Sequence, residues 1–455
     1  MKKNNGLSRS IEEELSSYIS EGGEAELRAE VIKTAKHHIL DSLAAIVSGS
    51  RLRPGHLAKE YVKGQGGVGV GEAQVIASPM VTSAINAAFA NGVMAHADET
   101  DDHHSKSAIH PGCAIIPAAL SMSEREGVDG ITFLKGVVTG YEIGCRMTQA
   151  LGSSTSRSTN IIGGSFGAAA AAAAIARLKY DQVRYVLSYT AQQASGVPFW
   201  VRDEEHIEKA FIFGGMTARN GVMTASLIQS GFTGVRDPFS GEHNFFEAFS
   251  PHSRPELLSE GLGRHYEIAS VNIKKFSVGG PIQAILEALL ILMEKHKLTS
   301  ENVQSITARL PSWGAKVVNN RSMPDINAQH ILAVALQDGY LTFEAAHSYE
   351  RMKDPAVLEV KKRITLIDDP ELDPSKGLRQ GITEVMTKDG AKFREHIIHV
   401  RGTADNPMTT EEVEKKSREL ITPVLGEDRS RRLIDTIWNL ERVKNMRELR
   451  PLLSA

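Results

Sequence analysis

Ala168 to Ala174 is an unbroken run of alanines flanked by Phe166, Gly167 and Ile175, and it constrains the fold more than any other stretch. Alanine is the best helix former, and so little side-chain bulk suits a buried helix whose neighbours approach backbone to backbone. A low-complexity linker would not be framed by phenylalanine and isoleucine. The surrounding text agrees: SAINAAFANGVMAHADE, CAIIPAALSMSERE and ITFLKGVVTGYEIGCRMTQAL read as further helices. In AELRAEVIKTAKHHILDSLAAIVSG, the residues Leu27, Val31, Ile32, Ala35, Ile39, Leu43 and Ile46 form one helical stripe, closed by Gly49.

After about residue 265 the pattern changes. EIASVNIKKFS alternates like a strand, PIQAILEALLILMEKH reads as a helix with proline near its start, and VQSITARL as a strand. In TEVMTKDGAKFREHIIHV, Asp389-Gly390 between two strand-like runs predicts a hairpin. From about residue 408, MTTEEVEKKSRELITPVLG and SRRLIDTIWNLERVKNMRELRPLL return to amphipathic helix. A chain of 455 residues exceeds what one core usually supports. The expectation is a mainly α protein: a large helical domain formed by both chain ends (1–265 and 403–455) and a smaller α+β domain (266–402).

The net charge of −3 and the absence of a basic stripe argue against a nucleic-acid partner. The N-terminus is polar and then amphipathic, without the apolar core of a signal peptide, and no apolar run is long enough to span a membrane. A cytoplasmic protein is expected. The two cysteines, Cys113 and Cys145, are too few for a disulfide framework or a thiolate zinc site. Cys113 follows His110-Pro111-Gly112, so a thiol nucleophile with a histidine base stands against the plainer reading, a small buried packing residue.

HADETDDHHSKSAIHPG, from His96 to Gly112, crowds histidines, carboxylates and Lys106 into one short stretch. Such groups shift one another's proton affinity, which marks a candidate proton-transfer or ligand site. If the helix through Ala88 and Val93 persists to Asp102, then His96, Glu99 and His103 share one of its faces. Three readings stand: a general acid/base cluster, a capping and ion-pair network at a helix end, or a divalent-metal site, although no HExxH pattern appears. His110-Pro111-Gly112 sits where helix-start amides favour an anion, but a lone histidine there is also an ordinary surface group.

Two more segments carry charge beside glycine. In RDEEHIEKAFIFGGMTARNG, Lys209 precedes an apolar run that can lower its proton affinity and make it a base; the alternative is a solvated partner of the nearby glutamates. Gly214-Gly215 indicates a close backbone approach. In IKKFSVGGPIQ, a strand followed by paired glycines and a helix start suits an anion, with Lys274 as counter-charge, or is an ordinary turn.

In this order, these segments resemble the MmgE/PrpD family along nearly the whole chain. Its opening D-[ST]-L-x-x-x-x-x-G is similar to Asp41-Ser42-Leu43 through Gly49, and its H-A-x-D-x-D-D-[TS]-H...H-P signature to His96, Ala97, Glu99, Asp101, Asp102, His104, His110 and Pro111. Gly140-Tyr141-Glu142, Phe166-Gly167-Ala168, Gln193-Ala194-Ser195-Gly196, Gly231-Phe232-Thr233-Gly234 and Asn406-Pro407-Met408-Thr409 continue it. The resemblance implies a helical domain with a smaller lid, a homodimer, and a metal-free, cofactor-independent site between lobes for small di- or tricarboxylates. It places catalytic roles on Glu99, His103, His110 and Lys209. Substrate-binding roles fall on Lys274 and, around it, His96, Lys106, Arg202 and Gln283.

Departures from the family pattern fall inside the signature. Glu99 stands for an aspartate, His103 for a hydroxyl and Ser158 for a histidine, while Asp98 reads as a solvated charge. The lid motif K-P-Y-P-x-C-R-x-x-H is here Lys274-Lys275-Phe276-Ser277-Val278-Gly279-Gly280-Pro281-Ile282-Gln283, without its arginine and histidine. The expected activity is a lyase, eliminating water or carbon dioxide next to a carboxylate. An epimerase or isomerase is the alternative, and a carboxylate-binding protein that has lost catalysis the third.

Overall fold

A computed structural model describes residues 9–22, 26–66, 71–152, 157–372 and 379–455; the polar first eight residues lie outside them. The protein is mainly α-helical. It divides into two compact units, one of Met1–Ala97, Asp102–Val271 and Val413–Ala455, the other of Asp98–Asp101 and Asn272–Glu412. Among the described residues, no helix is long and apolar enough to cross a membrane.

The first unit is built on α1 (Ala29–Gly49), α2 (Ala84–Ala95), α3 (Gly112–Glu126), α4 (Gly130–Leu151), α5 (Thr159–Ile175) and α6 (Met216–Gln229). The alanine run lies in α5 and is buried throughout. Glycines make the close approach possible. A Cβ on Gly144 of α4 would lie 2.7 Å from the Gly163 carbonyl oxygen of α5, and one on Gly167 of α5 would lie 2.8 Å from that of Gly140. On the other side of α5, a Cβ on Gly221 of α6 would meet the Ala168 backbone at 2.6 Å. Each helix therefore packs where its neighbour has no side chain, and small-residue contact replaces the usual interdigitation of leucines.

The expected extension of α2 to Asp102 is not found, because the helix ends at Ala95. Beyond it, Asp98 Oδ1 accepts the Thr100 amide at 2.7 Å, a local turn that competes with helical hydrogen bonding. His96, Glu99 and His103 thus share no helical face. The C-terminal segment also differs from one continuous helix: after Glu427–Trp438 it breaks into short turns, Leu440–Arg442 and Met446–Leu449, the second capped by the Asn445 side chain.

The second unit holds a four-stranded sheet: β1 (Val303–Leu310), β2 (Ile364–Asp368), β3 (Gly381–Thr387) and β4 (Lys392–Ile397), in the order β2-β1-β3-β4. β2 runs parallel to β1, pairing Ile306 with Ile364, and β3 runs antiparallel to it, pairing Ile306 with Val385. The Asp389-Gly390 hairpin joins β3 and β4, with Gly390 at φ +89° as the turn requires. Ile285, Leu289 and Leu292 of α7 (Ile282–His296), together with Ile331 and Leu332 of α8 (Ala328–Asp338), share a core with Ile306, Ala308 and Val385.

The strand expected over EIASVNIKKFS is confined to Val271–Asn272; a 3-10 turn precedes it and a loop follows. Gln283 explains the loop. Its Nε2 donates to the Phe276 and Val278 carbonyls at 2.8 and 3.0 Å, and its Oε1 accepts the Phe276 amide at 3.2 Å, so those backbone groups are withdrawn from pairing.

Candidate active site

The first unit gathers four imidazoles. His96 closes α2, His103 begins a two-residue strand, His110 precedes α3, and His206 caps the short helix Ile207–Ala210 with a left-handed backbone at φ +59°. The rings of His96 and His110 are 5.0 Å apart, those of His103 and His110 5.0 Å, and those of His96 and His206 5.2 Å. Phe213 lies against His96 at 4.7 Å and carries Trp200 on its other contacts, also at 4.7 Å. Lys209 Nζ stands 5.5 Å from the ring centres of both Trp200 and Phe213, within cation–π range of each.

His110 is positioned from below. Its amide donates to Asn160 Oδ1 at 2.8 Å, and the following Gly112 amide donates to Asp102 Oδ1 at 2.8 Å. Asp102 Oδ2 accepts the Tyr141 hydroxyl at 2.6 Å and lies 2.8 Å from His38 Nδ1. Gly112 is required there, since a Cβ would come within 2.7 Å of Asp102 Oδ1. Nearby in the same unit, Lys416 Nζ lies 2.5 Å from Asp41 Oδ1; burial still raises the proton affinity of Asp41 despite that cation.

His104, though part of the signature, serves the loop. Its Nδ1 accepts the Ser107 amide at 3.0 Å, which puts the ring proton on Nε2, 3.3 Å from Glu267 Oε2. The Cys113 thiol donates to the His110 carbonyl at 3.2 Å and is buried, in keeping with a packing role. Ser158, at the register of the missing histidine, accepts the Trp200 indole N–H at 3.2 Å.

The second unit assembles the charged set. Lys274 Nζ lies 3.2 Å from Glu99 Oε2 and 3.5 Å from Asp101 Oδ1, with all three side chains at most 5% exposed. Burial works against the ammonium, but the two carboxylates outweigh it and hold Lys274 above its ordinary range. Arg379 joins this set electrostatically: burial pushes its guanidinium down to about 10, opposed by Glu99. Sequence reasoning missed Arg379, as it missed His206, Phe213 and Trp200.

One expectation is corrected. Asp98 is buried rather than solvated, and burial raises its proton affinity, with His347 acting in the other direction. Lys106 and Arg202, expected to hold substrate carboxylates, are exposed. Gln283, expected to bind substrate, has its amide committed to the loop backbone.

The protein is thus mainly helical, with one cluster of imidazoles in its first unit and one set of buried charges in its second. Residues 13–258 match the MmgE/PrpD N-terminal domain and residues 276–442 the MmgE/PrpD C-terminal domain, so the chain belongs to the MmgE/PrpD family. It is 25% identical to a cis-aconitate decarboxylase-like protein of Aspergillus oryzae over 97% of each chain. It is 23% identical to cis-aconitate decarboxylase of Aspergillus terreus, over 94% of this chain and 93% of that one, and 25% identical to that of Homo sapiens, over 93% and 90%.

Proposed function

We propose that the protein is a cofactor-independent lyase that removes carbon dioxide or water from a small di- or tricarboxylate, with decarboxylation as the leading reading. The observation that carries it is the run of imidazoles through His103, His110, His96 and His206 beside Lys209, in which His96, His103 and His206 are buried and His110 and Lys209 are half-buried. Similarity along nearly the full length to cis-aconitate decarboxylases supports the choice.

When a carboxylate leaves as carbon dioxide, the electron pair of the broken C–C bond stays on carbon, and a second carboxylate nearby spreads that charge. A cation at the second carboxylate stabilises this state. The carbanion is then quenched by a proton, delivered by His110 or Lys209, while Glu99 and His103 set the protonation of their surroundings. In dehydration the same base takes the proton from carbon and the electron pair expels hydroxide, which needs a proton of its own.

The second reading is epimerisation, and His103 favours it. An imidazole in place of the family hydroxyl puts a second acid/base group 5.0 Å from His110, as removal and return of one proton require. Incubating the purified protein with hydroxy, unsaturated and amino di- and tricarboxylates in deuterated water, followed by NMR, separates the readings. Loss of a carboxyl carbon, or of a hydroxyl group with formation of a double bond, supports the lyase. Deuterium in recovered substrate with no elimination product supports the epimerase, and no turnover across the panel overturns both.

A further inference from the structure

Gly280 stands at the register of the arginine in the family's lid motif. A Cβ built on Gly280 would lie 1.8 Å from Arg379 Nη1 and 3.0 Å from its Cζ. The guanidinium therefore occupies the space that a side chain at 280 would fill. Arg379 comes from far along the sequence, two residues ahead of β3, and its guanidinium carbon lies 5.7 Å from the Trp313 ring centre. Arg379 is half-buried, and burial depresses its guanidinium.

We propose that Arg379 binds a carboxylate of the substrate, supplying from the segment before β3 the guanidinium that Gly280 leaves out. This deepens the lyase reading and rests on it for the substrate class.

Arg379 adds a second cation to the set of Lys274, Glu99 and Asp101, whose two carboxylates balance two positive charges. Burial nevertheless outweighs Glu99 in depressing the Arg379 guanidinium, so a carboxylate bound directly to it stabilises its charge. Of the two cations, the planar fork of arginine fits a carboxylate in a two-point contact, whereas the ammonium is a point charge. Trp313 limits the directions in which the fork can turn. Gly280 is then a specificity-determining position, kept small so that Arg379 can reach inward.

The test uses the full-length protein, with calorimetric titration of cis-aconitate and, separately, turnover of the carboxylate panel. Arg379→Gln should weaken binding on the order of tenfold to a hundredfold, as expected for loss of a charge-assisted two-point contact. Gly280→Ala should weaken it comparably with an unchanged melting temperature, because the clashing atom is the end of a flexible side chain. Arg379→Ala combined with Gly280→Arg should recover at least part of the affinity that Arg379→Ala loses. A merely structural Arg379 would show no such rescue. Wild-type affinity in Arg379→Gln and Gly280→Ala overturns the inference, as does a double variant no better than Arg379→Ala. A wild-type protein that binds the acid without turning over any of the panel defeats the lyase reading alone. If it binds no carboxylate, both fail.

Discussion

Lys274 Nζ sits 3.2 Å from Glu99 Oε2, a buried ion pair joining residues 175 positions apart in sequence. Asp101 completes it, so removing the lysine takes one cation away from two buried carboxylates. Breaking a buried pair in this way costs about 3–5 kcal/mol. Lys274→Met should therefore lower the denaturant midpoint clearly and abolish carboxylate binding. Glu99→Gln should be milder in stability and should lower turnover about a hundredfold or more. Equilibrium unfolding and steady-state kinetics on the two variants check this, and an unchanged midpoint in Lys274→Met would show that the pair contributes nothing.

His110 and Lys209 are the proposed proton carriers, one 5.0 Å from two other imidazole rings and the other lying on Trp200 and Phe213. General acid/base help is worth about a hundred- to ten-thousandfold. His110→Asn and Lys209→Met should each lower kcat by that range while moving KM little. Turnover like the wild type in both would remove them from the reaction.

The helical packing was legible because Ala168 to Ala174 leave no other stable use for a helix than close contact, and the hairpin because Asp389-Gly390 fits one turn. The end of α2 was not, since the hydrogen bond from Thr100 to Asp98 competes locally with a helical pattern that looks unbroken. The site was readable where its members fall in one stretch, as His96, Glu99, His103 and His110 do. Arg379 escaped because it meets Gly280 only through the folded chain, about a hundred residues away in sequence, and nothing in LRQGITEV marks it as a ligand residue. His206 lay in a segment whose lysine carried the obvious chemistry, and its left-handed backbone is a product of the fold.

Gly92 and Gly214 hold the imidazole set in place by mutual contact. A Cβ on Gly214 would lie 1.9 Å from the Gly92 carbonyl oxygen, and one on Gly92 would lie 2.4 Å from that of Gly214. Both obstacles are backbone, so no side-chain rotation relieves them. Gly214 lies in the π-helical turn Phe211–Gly215, which also carries Phe213 against His96. Gly214→Ala should cost at least about 1–3 kcal/mol by overpacking and lower kcat together with stability. Gly64→Ala, where a Cβ meets nothing within 4 Å, is the control and should leave both unchanged. Thermal melts and kinetics on the pair decide the matter; equal behaviour would mean that the turn tolerates displacement.

His330 gives the second unit an acid-sensitive element. It is 1% exposed in α8, and its Nε2 has no hydrogen-bond partner among the described residues. Burial first, then the charges of Lys361 and Arg351, hold its proton affinity down at about 4. Between that value and its ordinary value near 6.5, the unfolded chain binds a proton that the folded chain does not. The His330 contribution to stability is thus fully present above pH 6.5 and is lost as pH falls toward 4, by at most about 1.4 kcal/mol per pH unit. His330→Gln removes the titrating group, so its unfolding free energy relative to wild type should rise as pH falls from 7.5 to 4.5. Urea unfolding across that range checks it, and a difference that stays constant with pH would show that His330 takes up its proton alike in both states.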